Sequence, residues 1–309
     1  MPVAVPLRSS VGVCAPTLNA GPLWHHWLAC IAPVAMDFRV LVVDSSSDDG
    51  TAEAAQQAGL EVMVIKRCEF DHGGTRQRAL AHLSDCDIVI FLTQDALLAD
   101  PTALSQLVAA FDDPNVGAAF GRQLPHLDAT PISKHARYFN YPATPRVVDG
   151  ADIPRLGIKT AFLSNSFAAY RRDALLDVDG FPEGTILSED MIAGARLLKA
   201  GWKIAYCAKA RVFHSHNYSV REEFQRYFDI GVLHHREAWL LAWLGRAEGE
   251  GRRFVRSEMR YLLREAPWQL PEAALRTVLK YAGYRLGKAE NKLPLSLKRR
   301  LSMHRHYWQ

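Results

Sequence analysis

Five short stretches carry residues whose types and spacing could do chemistry. In Asp87-Ile88-Val89-Ile90-Phe91-Leu92-Thr93-Gln94-Asp95-Ala96 an apolar run stops at a polar turn holding one carboxylate. A buried strand that ends this way delivers an acid to the sheet edge, where α/β folds bind ligands; Asp95 is either a ligand-handling acid or the cap of the next helix. Asp44-Ser45-Ser46-Ser47-Asp48-Asp49-Gly50-Thr51 groups small hydroxyls and carboxylates that can cap a helix or hydrogen-bond a ligand. Glu69-Phe70-Asp71-His72-Gly73-Gly74-Thr75-Arg76 places two glycines before a helix expected over 75–83. That helix start suits an anion, and Arg76 adds a planar fork of donors; a plain glycine turn with a solvated arginine is the bland alternative. Ser188-Glu189-Asp190 could be an N-cap with acids in the first turn, or a working pair of carboxylates. His214 and His216 stand at i, i+2 on an expected strand, so both point the same way and one or both could bind a metal.

The elements that must position these residues alternate. Strands are expected over 11–15, 39–43, 60–65, 87–92 and 116–120, with helices over 23–32, 51–58, 75–83 and 101–111 between them. Alternation of this kind predicts a doubly wound, mostly parallel α/β sheet with helices on both faces. Residues 126–160 read as a loop over the sheet edge, rich in Pro, Gly and aromatics, and 164–170 as a strand. Ser188 is expected to cap a helix over 190–200. Residues 202–207 and 210–213 read as two strands. Helices follow over 221–243, 252–265 and 272–286, with a break at 245–251. The expected division is a catalytic unit over 1–218 (its halves 1–95 and 96–218) and a helical extension over 219–309.

Of 309 residues, 49% are hydrophobic and 23% charged, an ordinary globular composition. The five cysteines lack a CxxC spacing, so neither a disulfide framework nor a zinc cluster is expected, and a reducing compartment fits. No charged and apolar leader is apparent at the N-terminus, and no apolar run reaches membrane-spanning length. The net charge of +4 is uneven: residues 280–309 carry eight Lys/Arg against Glu290 alone. In residues 293–308 this basic character is interleaved with Leu, Met, Tyr and Trp, which predicts a helix lying in an anionic membrane interface. Nucleic acid is not the expected partner, because the polar groups gather at strand ends as in an enzyme. A dinucleotide-binding dehydrogenase is disfavoured, since no GxGxxG follows the first strand.

Taken in order, Pro16-Thr17-Leu18-Asn19, Val42 to Thr51, Phe70 to Arg76, Thr93-Gln94-Asp95-Ala96, Gly121-Arg122-Gln123, Glu189-Asp190 and His214 form a set. The set resembles inverting family-2 glycosyltransferases of the GT-A fold, most like bacterial rhamnosyltransferases of cell-surface polysaccharide synthesis. The resemblance covers roughly residues 11–240. It implies donor contacts from Thr17, Asn19, Asp44, Arg76, Gln94 and Asp95, with Mg²⁺ or Mn²⁺ held by Asp95 and His214. Asp95 would be the metal aspartate of the family's Asp-X-Asp motif, and here Thr93 stands in place of the first Asp. Asp190 would be the catalytic base, its proton affinity raised by Glu189. The resemblance also implies transfer of L-rhamnose from dTDP-β-L-rhamnose, with inversion, to a saccharide or polyprenyl-diphosphate-linked acceptor, by an enzyme peripheral on the cytoplasmic face of the membrane. The competing readings are another nucleotide sugar on the same fold, and a non-catalytic nucleotide-sugar-binding subunit.

Overall fold

A computed structural model describes residues 10–245 and 248–308. The question of a leader falls on residues 1–9, outside the described residues, as do positions 246–247 of the expected 245–251 break.

The first half winds as β1 (Val11–Thr17), α1 (Leu23–Ile31), β2 (Arg39–Asp44), α2 (Thr51–Gln57), β3 (Glu61–Val64), α3 (His72–His82) and β4 (Ile88–Leu92). Next come β5 (Leu97–Leu98), α4 (Ala103–Val108), β6 (Val116–Leu124), α5 (Pro131–Asn140), β7 (Arg146–Val148), α6 (Ile153–Leu156), β8 (Phe167–Arg171), α7 (Arg172–Leu176), α8 (Glu189–Lys199) and β9 (Lys203–Phe213). The chain ends in α9 (Val220–Arg236), α10 (Ala238–Leu244), α11 (Glu248–Glu265), α12 (Leu270–Lys288) and α13 (Leu295–Leu301).

One sheet runs β3-β2-β1-β4-β8-β6-β9-β5, with β7 added on β9. The pairs within β3-β2-β1-β4 are parallel, as is β6 with β9. Strand β8 enters between β4 and β6 antiparallel to both. Every residue of β4 is buried, as expected of a central strand with both faces covered. Because parallel neighbours share a direction, the carboxyl ends of β1, β2 and β4 lie along one edge, and the antiparallel β8 brings its amino end there.

Several local expectations are corrected. Helix α3 starts at His72, so both glycines lie inside its first turn, capped by Asp71, whose side chain accepts from the Gly74 amide at 2.7 Å. Gly73 is needed because a Cβ there would sit 1.7 Å from the Pro182 carbonyl oxygen. The close approach is thus to the protein's own backbone. Residues 126–160 are no loose lid: Thr130 caps α5, with Pro131 in its first turn, and β7 and α6 follow. The expected 221–243 helix breaks at Glu237. The two strands of 202–213 are one strand, with a register shift opposite Gly121–Arg122.

The C-terminal helices share the main core. Phe228, Val232, Leu233, Leu240 and Leu244 pack in the same buried cluster as Phe91, Tyr170 and Phe181. Helices α9 and α12 meet backbone to backbone, since a Cβ on Gly287 would lie 2.0 Å from the Phe228 carbonyl oxygen and one on Gly283 2.6 Å from that of Phe224. The expected interfacial tail helix is also corrected. Helix α13 has only seven residues, and Trp308 is 4% exposed. Asp229 of α9 accepts the Met303 and His304 amides at 2.9 and 3.3 Å, and Gln225 donates to the carbonyls of Arg300 and Ser302. The tail's aromatic residues pack on the protein's own core, so they are not free to enter a lipid layer.

Candidate active site

The sheet edge opens into a cavity of about 820 Å³. Its wall includes Thr17, Arg76, Gln94, Asp95, Asp190, His214 and His216, gathered from distant parts of the chain.

Asp95 follows β4, and the two histidines follow β9. Strand β9 reaches them because its end pairs with β5, placing Phe213 opposite Leu97, just beyond Asp95. His214 Nε2 lies 3.5 Å from Asp95 Oδ1, and His216 Nδ1 3.8 Å from Asp95 Oδ2. One ligand atom from each of the three residues falls within 4.8 Å of the others. His214 Nδ1 is 2.9 Å from Gln123 Oε1, an acceptor, so Nδ1 carries the proton and Nε2 turns its lone pair toward Asp95. Gln123 is held in turn, since its Nε2 donates to Ser164 Oγ at 2.9 Å and Arg137 donates to its Oε1. Burial lowers the proton affinity of both imidazoles, that of His216 to about 4, which leaves neutral rings at neutral pH. Burial alone would raise Asp95, but the facing His214, which becomes its hydrogen-bonding cation when protonated, holds the carboxyl well below the usual range. An ionised carboxylate and two neutral imidazoles on one point are a fitting donor set for a divalent cation. The family resemblance points to His214 but leaves His216 and Gln123 without a role; the strand-pairing register places both.

Asp190 opens α8 behind Ser188. The expected Ser188 cap is absent: no side-chain cap bond forms, and Ser188 itself adopts φ 60°, ψ 37°. A non-glycine residue in this left-handed region is strained, and such strain concentrates at functional sites. Asp190 Oδ2 accepts the Asn165 amide at 3.0 Å and Oδ1 the Met191 amide at 2.8 Å, which fixes the carboxylate plane. The Asn165 side chain donates to Glu189 Oε1 at 2.9 Å and accepts from Tyr170 OH at 2.7 Å. Asn165 joins the two acids, and neither it nor Tyr170 stands out in the sequence.

The two neighbouring acids are pushed apart. Glu189 is 5% exposed and ion-paired with Arg76 at 3.0 Å; burial would raise it, yet Arg76 and His72 hold it low. Burial and the Glu189 charge raise Asp190 to about 7. One acid is therefore kept ionised as a fixed charge, and the other is poised to exchange a proton near neutrality. Arg76 also donates to the His72 carbonyl at 2.8 Å. The sequence points Arg76 at a phosphate, whereas the structure places it on Glu189. Removing this cation strands a buried charge, so Arg76→Leu is expected to destabilise the fold by about 3–5 kcal/mol. A thermal melt reads this, and an unchanged melting temperature would refute the pairing.

The other expected donor residues fall into two groups. Thr17 and Gln94 reach the cavity. Gln94 accepts from the Leu18 amide at 2.8 Å and donates back to its carbonyl at 3.3 Å, clamping the β1 and β4 loops together. Asp44 is 1% exposed and accepts from Thr17 Oγ1 at 2.9 Å, and from the Ser47 amide and hydroxyl at 2.8 and 2.6 Å. Asn19, at φ 45°, accepts the Asp48 amide at 3.0 Å. Both shape the rim of the cleft, and neither lines the cavity itself.

Comparison with known proteins fits this edge. The sequence profile of Glycosyltransferase like family 2 matches residues 9–240. The chain belongs to this family. This glycosyltransferase is 50% identical over 295 residues to the O-antigen chain rhamnosyltransferase RfbN of Salmonella typhimurium, covering 95% of this chain and 94% of the relative. It is 49% identical over 301 residues to the O-antigen chain rhamnosyltransferase WbaN of Salmonella anatum, covering 97% and 96%. Among solved structures, a Pyrobaculum calidifontis mannosyltransferase in complex with GDP-Man and Mn²⁺ superposes with a TM-score of 0.57 at 21% identity, over 98% of this chain and 86% of that one. S. aureus TarS with UDP-GlcNAc gives 0.55 at 17% identity, over 92% and 91%. The glycosyltransferase thus has the GT-A fold, its parallel half joined to the antiparallel β8 and to C-terminal helices.

Proposed function

We propose that this glycosyltransferase moves L-rhamnose from dTDP-β-L-rhamnose to a hydroxyl of a saccharide, carried on a polyprenyl diphosphate, in surface-polysaccharide synthesis. The observation that carries the chemistry is the convergence of Asp95, His214 and His216 in the cavity that also holds Asp190. The sugar rests on the rhamnosyltransferase relatives, about half identical over nearly the whole chain.

Asp190 takes the proton from the acceptor hydroxyl as that oxygen attacks the anomeric carbon opposite the leaving diphosphate, which inverts the centre. The Glu189 charge keeps Asp190 basic, and the Asn165 and Met191 amides hold it in place. Asp95 and the two histidines would hold a divalent cation, which when bound neutralises charge on the leaving diphosphate. Two imidazoles favour Mn²⁺ over Mg²⁺, which prefers oxygen ligands alone. Thr17 and Gln94 face the nucleotide, and Asp44 and Asn19 hold its rim. On this reading residues 1–218 carry the donor chemistry, and 219–309 complete the acceptor side.

A donor panel tests the assignment. With Mn²⁺, release of dTDP from dTDP-rhamnose is expected to exceed release from UDP- and GDP-sugars by at least about tenfold, because a site built around one sugar's hydroxyls rejects others. Release of UDP alone would overturn rhamnose. Release from no donor would favour a non-catalytic subunit.

Among the described residues no helix is long and apolar enough to cross a membrane. Helix α12 exposes Leu275, Val278 and Tyr281 along one face at 51%, 64% and 62%, and Trp268 precedes it at 74%. Arg256, Arg260 and Arg264 are exposed on the adjacent α11. An apolar ridge beside cations suits an anionic lipid surface and replaces the buried tail aromatics as the docking candidate. Val278→Glu with Tyr281→Glu is expected to weaken binding to phosphatidylglycerol vesicles by about tenfold or more. Undiminished vesicle binding would remove this surface from consideration.

A further inference from the structure

The cavity that holds Asp190 is also lined by Glu223, Tyr227, Phe254, Glu258 and Lys280 of the C-terminal helices. Glu223 of α9 is satisfied. Its two oxygens take Lys280 at 2.7 Å and Arg276 at 2.9 Å. Glu258 of α11 is not. It is 1% exposed, and neither carboxyl oxygen has a hydrogen-bond partner among the described residues.

Burying a carboxyl group with both oxygens unpaired opposes folding, and native proteins keep few such groups. The neighbouring cation acts on it through charge but does not hydrogen-bond it, because Lys280 is engaged by Glu223 and lies 5.2 Å from the Phe254 ring centroid and 5.7 Å from that of Tyr227. The chamber formed by these residues therefore offers an acceptor pair with free lone pairs beside aromatic side chains, in the same cavity as Asp190. A carboxylate can accept from two hydroxyls at once, and an aromatic wall suits the C–H face of a sugar ring.

We propose that this chamber is the acceptor-saccharide subsite, and that Glu258 reads two hydroxyls of the acceptor sugar. The inference rests on the reading of the acceptor as a saccharide. It also gives the helical extension a role. Helices α9, α11 and α12 form the subsite, and the packing of α9 on α12 through Gly231, Gly283 and Gly287 sets its width. The chemistry at the sheet edge can then be combined with different acceptors by changing the extension alone.

The test uses the full chain and Glu258→Gln, an isosteric change that loses one acceptor and the charge. The probes are p-nitrophenyl glycosides of glucose, galactose, mannose and N-acetylglucosamine, first without donor or metal. At least one glycoside is expected to raise the melting temperature of the wild type, and the shift should disappear in Glu258→Gln. Without glycoside, the variant should melt at the same temperature or higher, because a buried carboxyl group with no hydrogen-bond partner, whose ionised form burial opposes, has been removed. In transfer assays the KM for that glycoside should rise at least about tenfold while the KM for donor moves less than about threefold. A shift that survives in Glu258→Gln, the absence of any shift in the wild type, or a variant that melts several degrees lower would each overturn the subsite; the last would make Glu258 a structural ion-pair partner. Failure of the donor assignment shows separately, as an absence of nucleotide release, and leaves the melting readout intact.

Discussion

Asp190→Asn is expected to lower kcat by about 10²–10⁴-fold, the usual contribution of a positioned general base, with donor affinity nearly unchanged. Asparagine keeps the shape and can still accept one of the two amides that fix the carboxylate, but it cannot take the acceptor's proton. The environment predicts the pH profile as well. Burial and the adjacent Glu189 charge raise Asp190 to about 7. The base works only when deprotonated, so kcat should climb as pH rises through about 7 and level off above it. Taking away the Glu189 charge should move this limb to lower pH. Calorimetric donor binding alongside steady-state rates separates chemistry from folding. Near-normal transfer by Asp190→Ala would remove this residue as the base.

Loss of the cation site should have an effect of similar size. Chelation with EDTA, or Asp95→Ala, is expected to reduce transfer by about 10³-fold, since a metal offers several kcal/mol to the charge on a leaving diphosphate. Re-addition of Mn²⁺ should restore the chelated wild type and not the Asp95 variant. Gln123→Leu gives a finer test. It leaves all three ligands in place and removes the acceptor that fixes the His214 tautomer at 2.9 Å. Metal affinity, read by titration calorimetry, should fall about 10–100-fold. Unchanged affinity would mean that the orientation of His214 does not depend on Gln123, and full activity in EDTA would sink the metal reading.

The two predictions draw on different parts of the chain, and so does the legibility of the site. The alternation of strands and helices over residues 11–120 can be read directly, because a strand buried on both faces leaves an uninterrupted apolar run such as Ile88–Leu92. The candidate residues Asp95, Asp190 and His214 can be named from their places beside such runs and from the family they resemble. Residues 126–160 mislead because their Pro and Gly content suggests a loop, although Thr130-Pro131 is a cap followed by a helix start. The tail misleads because amphipathic composition does not say whether the apolar side meets lipid or protein. Here Asp229 and Gln225 decide for protein by bonding the tail's backbone.

By itself the sequence determined the parallel half of the sheet, the set of polar strand ends and the family they resemble, since these depend on local periodicity and on residue types in order. Only the tertiary structure decided which polar groups meet. The antiparallel entry of β8 brings Asn165 and Tyr170 to Glu189 and Asp190. The pairing of β9 with β5 and β6 carries His216 to Asp95 and Gln123 to His214. The helical extension leaves Glu258 without a hydrogen-bond partner among the described residues. These contacts join residues tens of positions apart, and their energies depend on burial, which makes Arg76, a residue of the cavity wall, also the counter-ion of Glu189.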